Sequence, residues 1–339
     1  MAILVTGGLG YIGSHTVVEL LNNNFDVVII DDLSNSEKYI LENIKEVSGK
    51  KPVLYPFEKK RKELLKQVFE AHNIEGCIHF AAYKAVGESQ VKPIDYYENN
   101  LFSLINLLQE MKERNISNFI FSSSCTVYGQ ADKMPIDEET ELKLPESSYG
   151  KTKQMGEEIL KDFATAHHKK VTLLRYFNPI GAHPSAKLGE LPIGIPNNLV
   201  PYVMQTAAGI REKLSVWGND YPTEDGTAIR DYIYVVDLAK AHVKALQKLI
   251  NSTENSQIYI YNLGTGKGSS VLEVVHAFEK ANNVKVPYQI CDRRAGDITI
   301  AFANADKAEK ELGWKAETSL EEALRTTWQW QKYLENREK

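Results

Sequence analysis

The sequence predicts a doubly wound α/β protein with a mostly parallel central sheet and a smaller α/β lobe toward the C-terminus. Through the first half of the chain, short apolar runs rich in β-branched residues alternate with longer amphipathic stretches. This alternation is typical of parallel strands that are covered by helices on both faces. A glycine-rich stretch joins the first apolar run to the first amphipathic one, where folds of this class turn tightly from strand to helix.

The first half of the chain supplies the elements of the predicted sheet. We expect strands at residues 3–5, 27–30, 53–55, 77–80, 119–122 and 171–176. We expect helices at residues 14–22, 62–72, 96–115 and 150–167. Because strands and helices alternate in this order, they favour a doubly wound sheet over an antiparallel one.

The composition changes after Asn178. Proline and glycine interrupt residues 179–196 too often for regular structure, which is typical of a functional loop or a linker. Beyond this stretch we expect helices at residues 199–209, 237–249, 271–281 and 320–333, and strands at 214–217 and 258–263. We therefore predict a first domain at residues 1–178, with return segments near 230–263, and a second lobe at residues 179–339.

Composition and charge exclude several classes of protein. The chain has 339 residues, of which 43% are hydrophobic and 25% charged, and its net charge is −5. These values are ordinary for a globular protein, and without a long basic tract we expect no nucleic-acid partner. No apolar run approaches membrane-spanning length, and the three cysteines are too widely spaced for a disulfide framework or a metal cluster. We expect a reduced, cytoplasmic protein with no metal and no membrane partner.

The glycine-rich stretch has the spacing of a dinucleotide-binding turn. Gly7, Gly10 and Gly13 follow the first predicted strand and open the first predicted helix. Glycines there permit a tight turn and a close approach of the backbone to a pyrophosphate, which the helix N-terminus then faces. We predict a Rossmann-type dinucleotide site here, the alternative being a purely structural turn.

Two carboxylates close the second predicted strand. Asp31 and Asp32 lie about twenty residues beyond the glycines, where such folds bind the hydroxyls of the adenosine ribose. A carboxylate there repels a 2′-phosphate, and no arginine adjoins the pair. The two acids therefore favour NAD over NADP; the alternative is a pair of solvated loop acids.

A candidate acid–base pair opens the fourth predicted helix. Tyr149 and Lys153 are four residues apart, a spacing that places both side chains on one helical face. A cation beside the phenol stabilises the phenolate and brings its proton within reach at neutral pH. A cluster of serines, residues 122–124, ends the fifth predicted strand. Because open α/β sheets bind ligands at that edge, a hydroxyl there can donate to a substrate oxygen beside Tyr149.

Longer motifs extend over nearly the whole chain. They are residues 7–15 (GGLGYIGSH), 84–89 (KAVGES), 119–129 (FIFSSSCTVYG), 149–153 (YGKTK), 174–184 (LRYFNPIGAHP), 194–199 (GIPNNL), 218–226 (GNDYPTEDG) and 230–233 (RDYI). With the features above, they resemble the extended short-chain dehydrogenase/reductase superfamily and, within it, the UDP-glucose 4-epimerases. The later motifs are specific to epimerases rather than shared by the superfamily.

The resemblance implies a reaction and a cofactor. Members of this family interconvert UDP-galactose and UDP-glucose through a transient 4-keto sugar, while tightly bound NAD takes a hydride from C4 and returns it to the other face. By resemblance, Tyr149 is the acid–base at the 4-hydroxyl and Ser124 hydrogen-bonds O4. Lys153 is implied to bind the nicotinamide ribose and to lower the pKa of the tyrosine. The family generally forms homodimers through long helices of the first domain.

The resemblance also implies the contacts of both ligands. For NAD these are Gly7, Gly10, Tyr11, Ile12, Gly13, Asp31, Asp32, Asn35, Ser36, Glu58, Phe80, Ala81, Ala82, Lys84, Asn99, Ser122, Tyr149, Lys153 and Tyr176. For the UDP-sugar they are Lys84, Ser124, Tyr149, Phe177, Asn178, Asn198, Leu199, Ser215, Trp217, Arg230, Tyr232, Val271, Arg294, Asp297 and Ala301. Arg230 and Arg294 are implied to hold the pyrophosphate and Asp297 the uridine ribose. The alternative is that these arginines form surface ion pairs.

Residues 57–59 depart from the family pattern. They are Phe, Glu and Lys, where the resemblance leads us to expect Gly, Asp and an apolar residue flanking the adenine. Glu58 can still accept a hydrogen bond from the adenine amino group, but Lys59 cannot replace an apolar wall. We expect weaker NAD retention than is typical of the family, which a purified protein that keeps its full NAD through dialysis would contradict. The alternative is a repacked, solvated loop.

A second departure concerns the hexose. Ala301 falls where, by resemblance, family members restricted to plain hexoses carry a bulky aromatic residue and those that accept N-acetylated sugars carry a small one. By volume alone, an alanine leaves room for an acetamido group. We therefore predict activity on UDP-GlcNAc and UDP-GalNAc as well as on UDP-glucose and UDP-galactose.

Two other functions use the same fold. A nucleotide-sugar 4,6-dehydratase also oxidises C4, but that family places an acid and a base immediately beside the serine. The neighbours of Ser124 are instead Ser123, Cys125 and Thr126. A non-catalytic NAD-binding sensor typically lacks the Tyr/Lys pair, which this chain keeps. Both observations favour an isomerase.

Overall fold

The computed structural model describes residues 1–57, 62–294 and 297–337. Its strands are β1 (Ala2–Thr6), β2 (Asp26–Ile30), β3 (Val53–Tyr55), β4 (Ile74–His79), β5 (Asn118–Ser122), β6 (Lys170–Tyr176), β7 (Asn178–Ile180), β8 (Leu214–Trp217), β9 (Ile229–Arg230), β10 (Tyr232–Tyr234), β11 (Gln257–Leu263), β12 (Ser269–Ser270), β13 (Tyr288–Cys291) and β14 (Ile300–Ala301). Its α-helices are α1 (Tyr11–Asn22), α2 (Ile40–Ser48), α3 (Lys62–Ala71), α4 (Val86–Val91), α5 (Pro93–Tyr97), α6 (Ser103–Glu113), α7 (Ser148–His167), α8 (Leu199–Ala207), α9 (Val235–Asn251), α10 (Val271–Asn282), α11 (Asp306–Leu312) and α12 (Leu320–Arg337).

The centre of the molecule is a seven-stranded sheet in the order β11-β6-β5-β4-β1-β2-β3, and its neighbouring strands are parallel. Ile3 and Val5 of β1 pack into one hydrophobic core with α1, α2 and α9. Leu4 packs into a second core with α3, α6 and α7. Since successive residues of a strand point to opposite faces, the two cores cover the two faces of the sheet. The predicted fold class, a doubly wound parallel sheet, is confirmed.

The order of the strands fixes where a ligand can bind. The chain builds β1, β2 and β3 outward on one side and then returns to add β4 on the other side of β1. Open α/β sheets bind ligands in the crevice at the carboxyl ends of the strands where this reversal occurs. The loops that follow β1 and β4 therefore border the expected cofactor site.

The second half contributes both to the sheet and to a separate core. The strand β11 pairs with β6 and extends the sheet. Outside the sheet, the parallel pair β8 and β13 and the short strands β7, β9, β10, β12 and β14 form small sheets. A third hydrophobic core joins α8, α10 and α12 through Val203, Phe278 and Leu324.

The helix predicted at residues 96–115 is not one regular helix. It is divided into α5, a π-helical segment at Glu98–Phe102, and α6. The Ser103 hydroxyl donates to the Asn99 carbonyl at 2.7 Å, so side-chain bonding accompanies the widened turn. Such π segments are frequent at functional sites, and this one carries the predicted cofactor ligand Asn99.

Several short elements were not predicted from the sequence. They are α2, α4, α11 and the small strands β7, β9, β10, β12, β13 and β14. Strands of two to four residues are too short to show a two-residue alternation of apolar and polar side chains.

Within the described ranges, the structure contains no helix with the length and apolarity needed to cross a membrane.

Candidate active site

The glycine turn is shaped by backbone contacts that exclude side chains. Gly7 has a φ of +71°, and a Cβ there would lie 2.9 Å from the amide nitrogen of Ala81. A Cβ on Gly13 would lie 2.1 Å from the Gly7 carbonyl oxygen. The Gly10 amide donates to the same oxygen at 3.1 Å, and α1 begins at Tyr11 with no side-chain cap. The turn therefore presents a helix N-terminus, which suits an anion such as a pyrophosphate.

Asp31 closes β2 and also braces the glycine turn. Its carboxylate accepts hydrogen bonds from the Leu9 amide at 2.9 Å and from the Ser36 hydroxyl at 2.7 Å. Asp32 is more exposed, and its carboxylate accepts from the Ser34 amide at 3.0 Å. The two acids thus lie at the carboxyl end of β2, as predicted, but with different surroundings. The bracing contact of Asp31 was not expected from the sequence.

Several further predicted cofactor ligands lie in the segment that follows β4. Ala81 lies two residues after the end of β4 and packs against Gly7. Asn99 is buried, and its side-chain amide donates to the Asn100 side chain at 3.0 Å. The Lys84 ammonium instead reaches across to the Glu190 carboxylate at 2.9 Å. The predicted adenine contact of Glu58, and with it the expectation of weak NAD retention, lies outside the described residues.

Ser124, Tyr149 and Lys153 meet beside the carboxyl end of β5. Ser124 caps a 3-10 helix at Cys125–Tyr128, and α7 starts immediately after its N-cap residue, Ser147. Tyr149 and Lys153 lie on the first turns of α7 and are 8% and 3% exposed. The Lys153 ammonium donates to the Ser122 carbonyl at 2.6 Å and lies 5.8 Å from the centre of the Tyr149 ring.

Burial dominates the electrostatics of this group. It raises the pKa of Tyr149 well above the ordinary value, with a further contribution from Tyr176, and the hydrogen bond of Ser124 partly opposes the shift. Burial likewise lowers the pKa of Lys153 to about 7, against the opposing charge of Glu157. The prediction that Lys153 stabilises the phenolate of Tyr149 stays a prediction, and burial works against it. Desolvation disfavours the phenolate and the ammonium together.

A second group of predicted residues is held together by Asp231. Its carboxylate accepts from the amides of Thr265 at 2.9 Å and Ala303 at 3.1 Å, and its own carbonyl accepts from the Asn178 amide at 2.9 Å. Arg230 and Ala301 sit opposite each other in paired strands, and Phe177 packs in the same small cluster as Ala301.

The charge of Arg230 acts on Cys125, which follows Ser124 in the chain. Burial raises the pKa of the Cys125 thiol to about 12, and the charge of Arg230 partly offsets that shift. The Arg230 Nη1 itself donates to the Ile229 carbonyl at 2.8 Å. The high pKa keeps the thiol protonated, so it is not a nucleophile.

Arg294, Asp297 and Trp217 form a third group of predicted residues. The Arg294 guanidinium forms a bidentate ion pair with Asp297 at 3.0 and 3.1 Å and lies 6.0 Å from the centre of the Trp217 ring. Ser215 and Trp217 belong to β8. Leu199 and Val271 begin α8 and α10, and the side-chain amide of Asn198 donates to Glu190 at 2.9 Å.

Known proteins resemble the chain along nearly its whole length. A family model described as GDP-mannose 4,6 dehydratase matches residues 4–327. A UDP-glucose 4-epimerase from Bacillus subtilis (strain 168) is 53% identical over 332 residues, which are 98% of this chain and 97% of that relative. The chain belongs to the UDP-glucose 4-epimerase family.

Solved structures of UDP-glucose 4-epimerases have the same fold as the chain. The UDP-glucose 4-epimerase from Bifidobacterium longum in complex with NAD⁺ and UDP has a TM-score of 0.94 at 47% identity, with 99% of each chain covered. The one from Stenotrophomonas maltophila, with bound NAD and formylated UDP-arabinopyranose, has a TM-score of 0.96 at 45% identity and the same coverage. The family inferred from the sequence motifs is thereby confirmed.

Three carboxylates near the site of this epimerase family member were not singled out from the sequence. Glu157 lies four residues after Lys153, on the same face of the helix. This spacing could have indicated from the sequence that Glu157 lies beside the catalytic pair. Asp231 and Glu190 gave no such signal. Their partners Thr265 and Lys84 are 34 and 106 residues away in the chain.

Proposed function

We propose that this protein catalyses the reversible 4-epimerisation of UDP-galactose and UDP-glucose with NAD held throughout the cycle. The convergence of Ser124, Tyr149 and Lys153 at the edge of the sheet that carries the glycine turn is the observation on which this rests. Cys77, Cys125 and Cys291 are unpaired thiols, as in proteins of reducing compartments. We infer that the protein acts in the cytosol.

The residues present fit NAD. At Gly7 and Gly13 the turn has no room for a Cβ, so a pyrophosphate can approach the backbone at the start of α1. Asp31 and Asp32 provide carboxylates at the end of β2 for ribose hydroxyls. When bound, NAD supplies the acceptor and donor of the hydride at C4 of the sugar.

The chain's own residues move and hold the proton. Tyr149 would take a proton from the 4-hydroxyl and return it to the keto oxygen, and Ser124 would hold that oxygen within reach of the phenol. The Ser122 carbonyl holds the Lys153 ammonium at 5.8 Å from the centre of the Tyr149 ring. All three side chains are at most 8% exposed, so water has little access to the intermediate.

One incubation separates this function from its alternatives. The description of the matching family model favours a dehydratase as the second candidate, although no carboxylate adjoins Ser124 in the chain. With UDP-galactose and no added reductant, an epimerase forms UDP-glucose. A dehydratase accumulates a ketosugar, and a non-catalytic NAD-binding sensor leaves the substrate unchanged; either result would overturn the proposal.

We further propose that UDP-GlcNAc and UDP-GalNAc are substrates, because the side chain at position 301 is small. Ala301 packs beside Phe177 and is 8% exposed. In the Ala301→Tyr variant, the phenol would fill the volume that an acetamido group needs. For the N-acetylated pair, we expect kcat/KM to fall by a factor of about ten or more. The plain hexose pair should be little affected, as measured by parallel turnover assays.

Ala301→Ser is the matched control for this substitution. A hydroxyl adds little volume, so this variant should keep activity on both pairs of sugars. Equal loss of both activities in Ala301→Tyr would contradict the volume argument and indicate general damage to the site.

We also propose that the protein is a homodimer joined through the helices of its first domain. Val91, Ile94 and Phe102 are 81%, 72% and 56% exposed, and they belong to α4, α5 and the π-helical segment, which adjoin α7 in space. Apolar surface concentrated in this way marks an interaction site. Light scattering should give a dimer mass for the native chain and a monomer mass for Ile94→Glu. Ile195→Glu changes an equally exposed apolar residue elsewhere and should remain dimeric; a monomeric native chain would refute the proposal.

A further inference from the structure

A buried ion pair lies directly behind the catalytic serine. Glu157 and Arg175 are 0% and 1% exposed, and they form two hydrogen bonds, from Nε to Oε1 at 2.9 Å and from Nη2 to Oε2 at 2.5 Å. The Ser123 hydroxyl donates to the same Glu157 Oε1 at 2.6 Å. The mechanism proposed above uses none of these groups.

Glu157 connects the two elements that carry the reacting groups. It lies one helical turn after Lys153 on α7, and its partner Ser123 immediately precedes Ser124 in the loop after β5. A single carboxylate therefore fixes the distance between the serine loop and the helix of Tyr149 and Lys153.

The network continues to the other end of the serine loop. The Arg175 Nη1 donates to the Tyr128 hydroxyl at 3.0 Å, and that hydroxyl donates to the Asn262 Oδ1 at 2.7 Å. Tyr128 ends the 3-10 helix that Ser124 caps. The segment that holds Ser124 is thus tied to the ion pair at both ends.

The surroundings of Lys153 give Glu157 a second effect. The ammonium is faced by Tyr149 and Glu157 from α7, and by the Ser122 carbonyl and the Phe121 ring from β5. From β6, Arg175 bonds Glu157 and the Tyr176 hydroxyl bonds the Ser122 side chain. Burial lowers the pKa of Lys153, and the charge of Glu157 raises it.

Stability alone does not explain such an arrangement. Buried ion pairs are often no more stabilising than apolar residues of the same shape, because both charges lose their hydration. Here the carboxylate has three donors at hydrogen-bond distance and touches the loop of one reacting group and the helix of two others.

We propose that Glu157 is a positioning residue of the epimerase site: through Ser123 it fixes Ser124 against α7, and its charge keeps the Lys153 ammonium charged. This inference rests on the proposed function. Two variants of the NAD-loaded enzyme separate its two actions. Glu157→Gln removes the charge and keeps the shape, whereas Ser123→Ala keeps the charge and cuts the link to the serine loop.

The expected results differ between the variants. Glu157→Gln should lower kcat about tenfold, since small misplacements of reacting groups have effects of this order or more. It should also move the alkaline limb of kcat down by about one pH unit, because Lys153 loses its opposing charge. Ser123→Ala should lower kcat without moving that limb. A purely structural role would lower the melting temperature and leave the limb in place.

A measurement without turnover keeps this inference separate from the proposed function. The titration of the Lys153 ammonium is followed by the NMR shift of its labelled Cε, read as a difference against Lys153→Met in the same background. Its midpoint should fall in Glu157→Gln and stay in Ser123→Ala, whether or not the native enzyme epimerises UDP-galactose. An unchanged kcat and midpoint in folded Glu157→Gln would overturn the inference. If that variant does not fold, a native kcat in Ser123→Ala overturns it instead.

Discussion

Tyr149→Phe is expected to lower the turnover of UDP-galactose by a factor of about 10³, within the range for losing a positioned acid–base group. The substitution removes one hydroxyl, which hydrogen-bonds Ser124, and leaves the buried ring in place. No other group in the proposed mechanism is placed to take the proton from O4. Because the packing of α7 is unchanged, binding of UDP and the melting temperature should stay close to those of the native chain.

Tyr96→Phe provides a matched control for this prediction. Tyr96 is also a buried tyrosine near the site, and its hydroxyl accepts from the Ala85 amide at 3.1 Å and donates to the Ala85 carbonyl at 2.9 Å. Its loss should cost about 1 kcal/mol of stability and leave kcat nearly unchanged. If Tyr149→Phe kept more than about a tenth of native kcat, the role of Tyr149 as the principal acid–base would have to be abandoned.

The parts of this molecule that could be predicted from sequence are those set by local patterns. The strands of the sheet were predicted because apolar, β-branched runs alternate with amphipathic helices. The largest error at a strand start in the first half is at β4, predicted from residue 77 and observed from Ile74. The catalytic pair was predicted because residues four apart on a helix lie on the same face.

The remaining features depend on contacts between distant parts of the chain. Asp31 braces Leu9 across 22 residues, and Asp231 collects donors from as far as Ala303, 72 residues away. Neither partnership leaves a periodic signal in the sequence. Burial of the catalytic pair is likewise invisible in the sequence, because the spacing shows that Lys153 is near Tyr149 but not that both groups are desolvated.

In the glycine turn, we expect the Gly13→Ala variant to lose both stability and bound cofactor. The added Cβ would lie 2.1 Å from the carbonyl oxygen of Gly7, a backbone atom that cannot rotate away as a side chain would. The turn must open, and we expect a loss of about 3 kcal/mol in the free energy of unfolding, at the upper end for an overpacked site. Since the turn forms the proposed pyrophosphate site, the purified variant should also carry little NAD.

Gly87→Ala makes the same chemical change in α4, but there we expect the free energy of unfolding to rise. A Cβ at Gly87 meets no atom within 4 Å, and alanine restricts the unfolded chain more than glycine does. The variant should gain about 0.5 kcal/mol and keep its NAD. Urea unfolding together with the absorbance of bound cofactor measures both quantities. If Gly13→Ala matched Gly87→Ala in both, the contact with the Gly7 carbonyl would not be what requires glycine at position 13. The difference between two identical substitutions thus isolates the geometry of the turn from the general effect of removing a glycine from a helix.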